Sequence, residues 1–170
     1  MLIIGHRGAA GLAPENTLKA IRAGIESGVD MIEIDIAVCR TGEVILMHDD
    51  KVESRTGGSG YVADLSFDEI RSLRIDGSEQ IPTLQEAIAV TGTQCPLNIE
   101  IKGTGSAKEV ARILRQEIRE ERMHSEDFLV SSYNHRELAR FSELCPDIRI
   151  APIISCYPLK LAELAEEIGA

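Results

Sequence analysis

Five times along this 170-residue chain a short apolar run gives way to a segment of helical period. Strands that alternate with helices in this way build a parallel sheet with right-handed crossovers. Leu2-Ile3-Ile4 opens the series and is long enough for one buried strand. Thr17 to Ser27 follows as a helix, with Leu18, Ile21 and Ile25 at helical spacing and Gly28 as its stop. The later strands fall at Met31 to Val38, Pro96 to Lys102, Phe128 to Ser132 and Ile148 to Ile154. Ser66 with Glu69, Thr83 with Glu86, and Ser106 with Glu109 have the spacing of helix capping boxes. Asn134 starts a helix through Leu144, and Leu159 to Ile168 forms the last one.

Between the second and third of these strands the pattern loosens. Arg40 to Glu43 is a turn, Val44 to Met47 a second short strand, and residues 51 to 80 an insertion over one end of the fold. Gly57-Gly58-Ser59-Gly60 lacks the Lys-Ser/Thr of a phosphate-binding loop and reads as a flexible turn. The length fits one domain spanning 1–170.

Met31 to Val38 places Ile32, Ile34, Ile36 and Val38 on one face and Glu33 and Asp35 on the other. On a solvated edge this needs no explanation. In a buried strand the two carboxylates must be paired or bound to a metal. Other polar residues interrupt the strand ends in the same way: His6 and Arg7, His48, then Glu100 and Lys102. In a parallel α/β fold these ends share one rim, so the side chains converge. Three carboxylates make an all-oxygen ligand set suited to a hard cation, Mg²⁺ or Ca²⁺. Glu33 and Asp35 lie roughly 6–7 Å apart along the strand, close enough to share one ion. Two histidines beside it suit proton transfer near neutral pH, and Arg7 and Lys102 offer charge to a phosphate oxyanion. That combination describes phosphodiester cleavage. His124 and His135 sit in helix or loop contexts and read as surface or packing residues.

The net charge of −10 argues against general nucleic-acid binding but leaves room for a small phosphate substrate in a locally positive cleft. No apolar run reaches the ~20 residues of a membrane span. Met1 leads into a strand-like run without a basic leader, and Cys39, Cys95, Cys145 and Cys156 lack metal-type spacing. They are expected to be reduced, buried thiols of a cytoplasmic protein.

His6-Arg7-Gly8, Pro14-Glu15-Asn16-Thr17, Glu33-Ile34-Asp35, His48-Asp49, Ile81-Pro82-Thr83-Leu84 and Asn98-Ile99-Glu100-Ile101-Lys102 together resemble the ordered signature of the glycerophosphodiester phosphodiesterases. The resemblance runs from Leu2 to about Tyr133, including Ser131-Ser132-Tyr133, and more loosely beyond. It implies a TIM-type (β/α)₈ barrel with a small insertion after the second strand. It implies Glu33, Asp35 and Glu100 as ligands of one Mg²⁺ or Ca²⁺, and His6 and His48 as the acid–base pair. Arg7 and Lys102 match cations that bind the phosphate, and Asn16 a position that supports the substrate site. The reaction implied is hydrolysis of glycerophosphodiesters to sn-glycerol 3-phosphate and an alcohol, with attack by the substrate's own neighbouring hydroxyl. A complete barrel takes about 250 residues, whereas five of eight β/α units are legible in this sequence. The expectation is therefore an incomplete barrel, either truncated or completed by association into a homo-oligomer. A relic or interaction module that keeps the site without turnover, and a lysophospholipid diesterase, are the competing readings.

Overall fold

The computed structural model describes residues 1–155 and 163–170. Its frame is a six-stranded sheet. Five strands run parallel in the order β1 (Ile4–Gly5), β2 (Met31–Val38), β4 (Leu97–Ile101), β5 (Phe128–Ser132) and β6 (Arg149–Pro152). The sixth, β3 (Val44–Leu46), pairs antiparallel with β2. Helices α1 (Leu18–Glu26), α3 (Leu84–Thr91), α4 (Ser106–Arg119), α5 (His135–Leu144) and α6 (Glu163–Glu167) alternate with the strands, and α2 (Phe67–Ser72) lies within the 51–80 segment.

The helix starts follow local chemistry. Thr17 accepts the Ala20 N–H and caps α1, and Gly28 continues past its end at φ 76°. Ser66 with Glu69 and Thr83 with Glu86 form complete capping boxes on α2 and α3. Asn134 caps α5 through the Glu137 N–H. At α4 the expectation fails. Gly105, at φ 85°, occupies the cap position without a side-chain hydrogen bond, and Ser106 is the first helical residue instead. The reach of the last expected helix, Leu159 to Ile168, lies outside the described residues before Glu163.

Alternation then divides the sheet. Ile32, Ile34 and Ile36 of β2, with Leu97, Ile99 and Ile101 of β4, face the helices and join Leu84, Val110, Leu114, Leu138 and Phe141 in the main core. The intervening Glu33, Asp35, Asn98 and Glu100 point to the opposite face. A second core forms under the inserted segment from Ile45, Met47, Val52, Val62, Ile70, Ile75 and Ile81. Strand β3 separates the two, since Val44 and Leu46 belong to the first. Arg71 of α2 fastens the segment to α3 through paired bonds of 3.0 and 2.9 Å to Glu86 and one to the Ile81 carbonyl.

Leu2, Ile3 and Ile4 were expected to be buried but are 62, 49 and 43% exposed. Strand β1 is short and pairs only with β2, so its outer side has no cover among the described residues. Strand β6 is the other edge and is shorter than the apolar run that predicts it. Cys39, Cys95 and Cys145 are buried free thiols, while Cys156 lies outside the described residues. His124 and His135 take local roles, at the cap of a short 3₁₀ turn and on the Ile153 carbonyl. No described helix is long and apolar enough to cross a membrane.

The β1–α1 turn is the tightest joint. Gly8 has φ 87°, and a Cβ there would stand 2.7–2.8 Å from Ala20 and Ile21 of α1. Gly8→Ala should lower unfolding stability by more than about 3 kcal/mol in urea titration. Gly11→Ala, where a Cβ meets nothing within 4 Å, should stay within about 0.5 kcal/mol. Equal effects would show that the joint tolerates displacement.

Candidate active site

The register of β2 explains how the polar residues meet. Ile32 pairs with both Gly5 of β1 and Leu97 of β4, and Ile36 with both Leu46 of β3 and Ile101 of β4. Strands β1 and β3 therefore occupy the same edge of β2 and approach each other end to end. Between them, the Glu33 carbonyl accepts the Gly8 N–H at 2.9 Å and the Asp35 carbonyl accepts the Met47 N–H at 3.1 Å. His6, just past β1, and His48, just past β3, thus enter the same gap from opposite ends, alongside Glu33 and Asp35.

Strand β4 supplies the other side. Asp35 and Glu100 are direct cross-strand partners, with Glu33 opposite Asn98. One oxygen from each of Glu33, Asp35 and Glu100 lies within 4.8 Å of the others. Such an acidic cluster could bind a metal. Glu33 is 7% and Asp35 1% exposed, so the strand is not the solvated edge that would make its carboxylates unremarkable.

Partners hold the cluster together. Arg7, at φ 51°, donates its backbone N–H to Glu33 at 2.7 Å, its guanidinium bonds Glu15 at 2.9 Å, and its Nε stands 3.3 Å from Asp35. Asn16, at φ 55°, donates its amide N–H to the Asp35 carboxylate at 2.9 Å and accepts the Asp35 backbone N–H at 3.1 Å. Its own backbone N–H returns to the Arg7 carbonyl. Lys102 reaches Glu100 at 3.0 Å and Asp35 at 3.7 Å, with the Tyr133 ring 6.0 Å from its ammonium. Burial opposes the charge on Lys102, but Glu100 and Asp35 outweigh it and hold its pKa above the usual value.

His6 is 3.9 Å from Glu33, with most of its side chain in solvent. His48 is more enclosed, and its Nδ1 lies 2.6 Å from Asp49. Hydrogen bonds from Ser54 and His48 hold Asp49 below its ordinary pKa, and the Arg7 charge also reaches it. An ionised Asp49 fixes His48 with a proton on Nδ1 and leaves Nε2 free. Seven of the eight residues singled out in the sequence are thus joined by contacts around Glu33 and Asp35, and His48 follows Met47, whose N–H meets the Asp35 carbonyl. Asp49 and Glu15 were within quoted motifs but without roles; a carboxylate beside each functional side chain was the available signal.

Two buried atoms lack partners here. Among the described residues, Arg7 Nε has no hydrogen-bond acceptor and Glu33 Oε1 no donor. A buried carboxylate oxygen with an unshared lone pair, facing two more carboxylates, fits a cation ligand better than a structural role. Burial is the main force that raises the Glu33 pKa from 4.5 to about 7. The Arg7 backbone bond works against it, and Asp35 and Glu100 add to it.

Two consequences can be measured. In metal-free protein this group's stabilising contribution is full below pH 4.5 and is lost as pH rises through about 7, a loss on the order of 3 kcal/mol. A cation needs the carboxylate form, so binding at pH 7 should release about half a proton. Calorimetry with Mg²⁺ or Ca²⁺ in buffers of different ionisation enthalpy reads that number. Binding heats independent of the buffer would mean that no proton leaves on binding, so that Glu33 is either already ionised or not a ligand.

Comparison with known proteins identifies the family. Residues 6–168 match the glycerophosphoryl diester phosphodiesterase family. The Bacillus subtilis protein YhdW is 35% identical over 164 residues, which is 90% of this chain and 65% of that protein. A Caldanaerobacter subterraneus glycerophosphodiester phosphodiesterase is 32% identical over 168 residues, 91% of this chain and 67% of its own length. The chain thus spans about two thirds of these curated relatives. Among solved structures, an Oleispira antarctica phosphodiesterase in complex with the product sn-glycerol-3-phosphate superposes with TM-score 0.89 at 29% identity, over 99% of this chain and 72% of that one. A Thermotoga maritima glycerophosphodiester phosphodiesterase gives 0.76 at 25% identity, over 99% and 70%. These neighbours are TIM barrels, and the sheet described above corresponds to part of one.

Proposed function

Because the chain belongs to the glycerophosphoryl diester phosphodiesterase family, we propose that it hydrolyses glycerophosphodiesters to sn-glycerol 3-phosphate and a free alcohol. The observation that carries the reading is the gathering of three carboxylates within 4.8 Å of one another, at the gap that His6 and His48 enter from opposite ends. The Oleispira relative, whose structure holds this product, supports the substrate class. Residues 1–170 then form one barrel-type domain, with 51–80 an insertion within it. The buried free thiols support a reducing, cytoplasmic setting.

Glu33, Asp35 and Glu100 would hold one Mg²⁺ or Ca²⁺. When bound, such an ion supplies Lewis-acid charge to the phosphoryl oxygens. Arg7 and Lys102 add fixed positive charge beside them, and Lys102 remains protonated because Glu100 and Asp35 sustain its charge. Asn16 acts through Asp35, which it fixes at both the backbone and the carboxylate. One histidine takes the proton of the substrate's neighbouring hydroxyl as it attacks phosphorus, and the other delivers one to the departing alcohol oxygen; water then opens the resulting cyclic phosphate to sn-glycerol 3-phosphate, with the two proton-transfer roles reversed. Asp49 keeps His48 in a single tautomer, ready to accept or donate at Nε2.

The test is release of sn-glycerol 3-phosphate from glycerophosphocholine and glycerophosphoglycerol with Mg²⁺, Ca²⁺ or chelator. His6→Ala and His48→Ala should each lower kcat by about 10²-fold or more, and Asp49→Asn by about tenfold. No release from folded protein with either metal would favour a module that retains the site without turnover.

A further inference from the structure

A cavity of about 410 Å³ opens beside Lys102, between the end of β2, the inserted segment and the β4–α4 loop. Its size falls within the ~300–1,000 Å³ of small-molecule sites. Its polar lining is Asp50, Tyr61, Lys102, Thr104 and Ser106. Lys102 lines this cavity and also touches the acidic cluster, so its ammonium links the cavity to the place where phosphate would sit.

Ser106 is the unexplained member. It is 1% exposed, yet its hydroxyl has no hydrogen-bond partner among the described residues. Had it capped α4, as its spacing from Glu109 suggests, the hydroxyl would be satisfied by a backbone N–H. Gly105 holds that position instead, and the Ala107 N–H is taken by Glu137 at 3.0 Å. The hydroxyl stands behind Gly103, where a Cβ would approach it to 3.3 Å. A buried hydroxyl without a partner is costly and marks a place prepared for one.

We propose that this cavity receives the alcohol end of the diester, and that it selects a neutral polyhydroxy alcohol over a cationic amino alcohol, with Ser106 and Thr104 as the hydroxyls that read it. This rests on the phosphodiesterase reading above. A quaternary ammonium is recognised by open aromatic faces. The one aromatic ring in the lining, Tyr61, already has the Lys51 ammonium 4.8 Å from its centroid. Asp50 also lines the cavity, where its carboxylate can accept hydroxyl protons. Glycine at 103 and 105 leaves the backbone of the loop open to a polar ligand.

The experiment compares kcat/KM for glycerophosphoglycerol and glycerophosphocholine with Mg²⁺ present. The wild type should favour the glycerol diester by about tenfold. Ser106→Ala should abolish most of that preference by raising KM for the glycerol diester alone, and Thr104→Val should act in the same direction. Because the Ser106 hydroxyl makes no hydrogen bond, the Ser106→Ala protein should melt no lower than wild type, which separates lost recognition from lost folding. Equal kcat/KM in the wild type, or equal losses on both diesters, would overturn the inference while product release upheld the phosphodiesterase reading. If neither diester is turned over, calorimetric titration of the same two compounds decides. Tighter binding of the glycerol diester, weakened by Ser106→Ala, would sustain the subsite; equal binding or none would remove it.

Discussion

The arrangement depends on keeping three carboxylates together against their mutual repulsion. Pairing Asp35 with Glu100 across two parallel strands, with Glu33 two residues away on the same face, would by itself disfavour that register. The opposite face enforces it. Ile32, Ile34 and Ile36 are fully buried against the helices, and a one-residue slip would carry them to the polar side. Hydrophobic burial on one surface of β2 thus fixes an electrostatically unfavourable cluster on the other. Arg7, Asn16 and Lys102 reduce the repulsion, yet Asp35 and Glu100 still add to the rise in the Glu33 pKa that burial chiefly causes.

The remaining geometry follows from β2 having an edge shared by two short strands. Strand β1 ends at Gly5 and β3 at Leu46, and neither extends along the stretch between them. The main-chain carbonyls of Glu33 and Asp35 are nevertheless satisfied there, by Gly8 and Met47. A gap in strand pairing therefore carries no unsatisfied carbonyl at these residues and still leaves room for two imidazoles. The rigid parts lie behind it, in the main core and in the second core beneath β3.

Much of this was legible because it is local or periodic. The two complete capping boxes are set by residues three apart, and β2 and β5 are bounded as their apolar runs suggest. The acidic alternation within β2 was equally plain, although its burial was not, since that depends on β4 from far along the chain. Two readings failed. Leu2 to Ile4 has the composition of a core strand, but no described strand covers its outer side. Ser106 has the right neighbour for a cap, but a left-handed glycine one position earlier displaced it. Strand β3 follows the expected turn, in which Gly42 at φ 98° was the local sign of the antiparallel hairpin it forms with β2. The pairing of His48 with Asp49 needed coordinates, because adjacent residues in a chain can diverge as readily as meet.

The separation of the two histidines along the sheet also bears on how the molecule assembles. His48 is delivered by a hairpin, the kind of contact that closes within about 1–10 μs. The Arg7–Glu33 contact spans 26 residues, and the joining of β2 to β4 requires closure of a still longer segment. Topology therefore orders the events: short-range contacts precede long-range ones because loop closure is entropically slower. The arm bearing one acid–base group can form while the carboxylates are still dispersed and hydrated. Their confrontation waits for the longest closure, when the apolar face of the sheet has contacts enough to hold them.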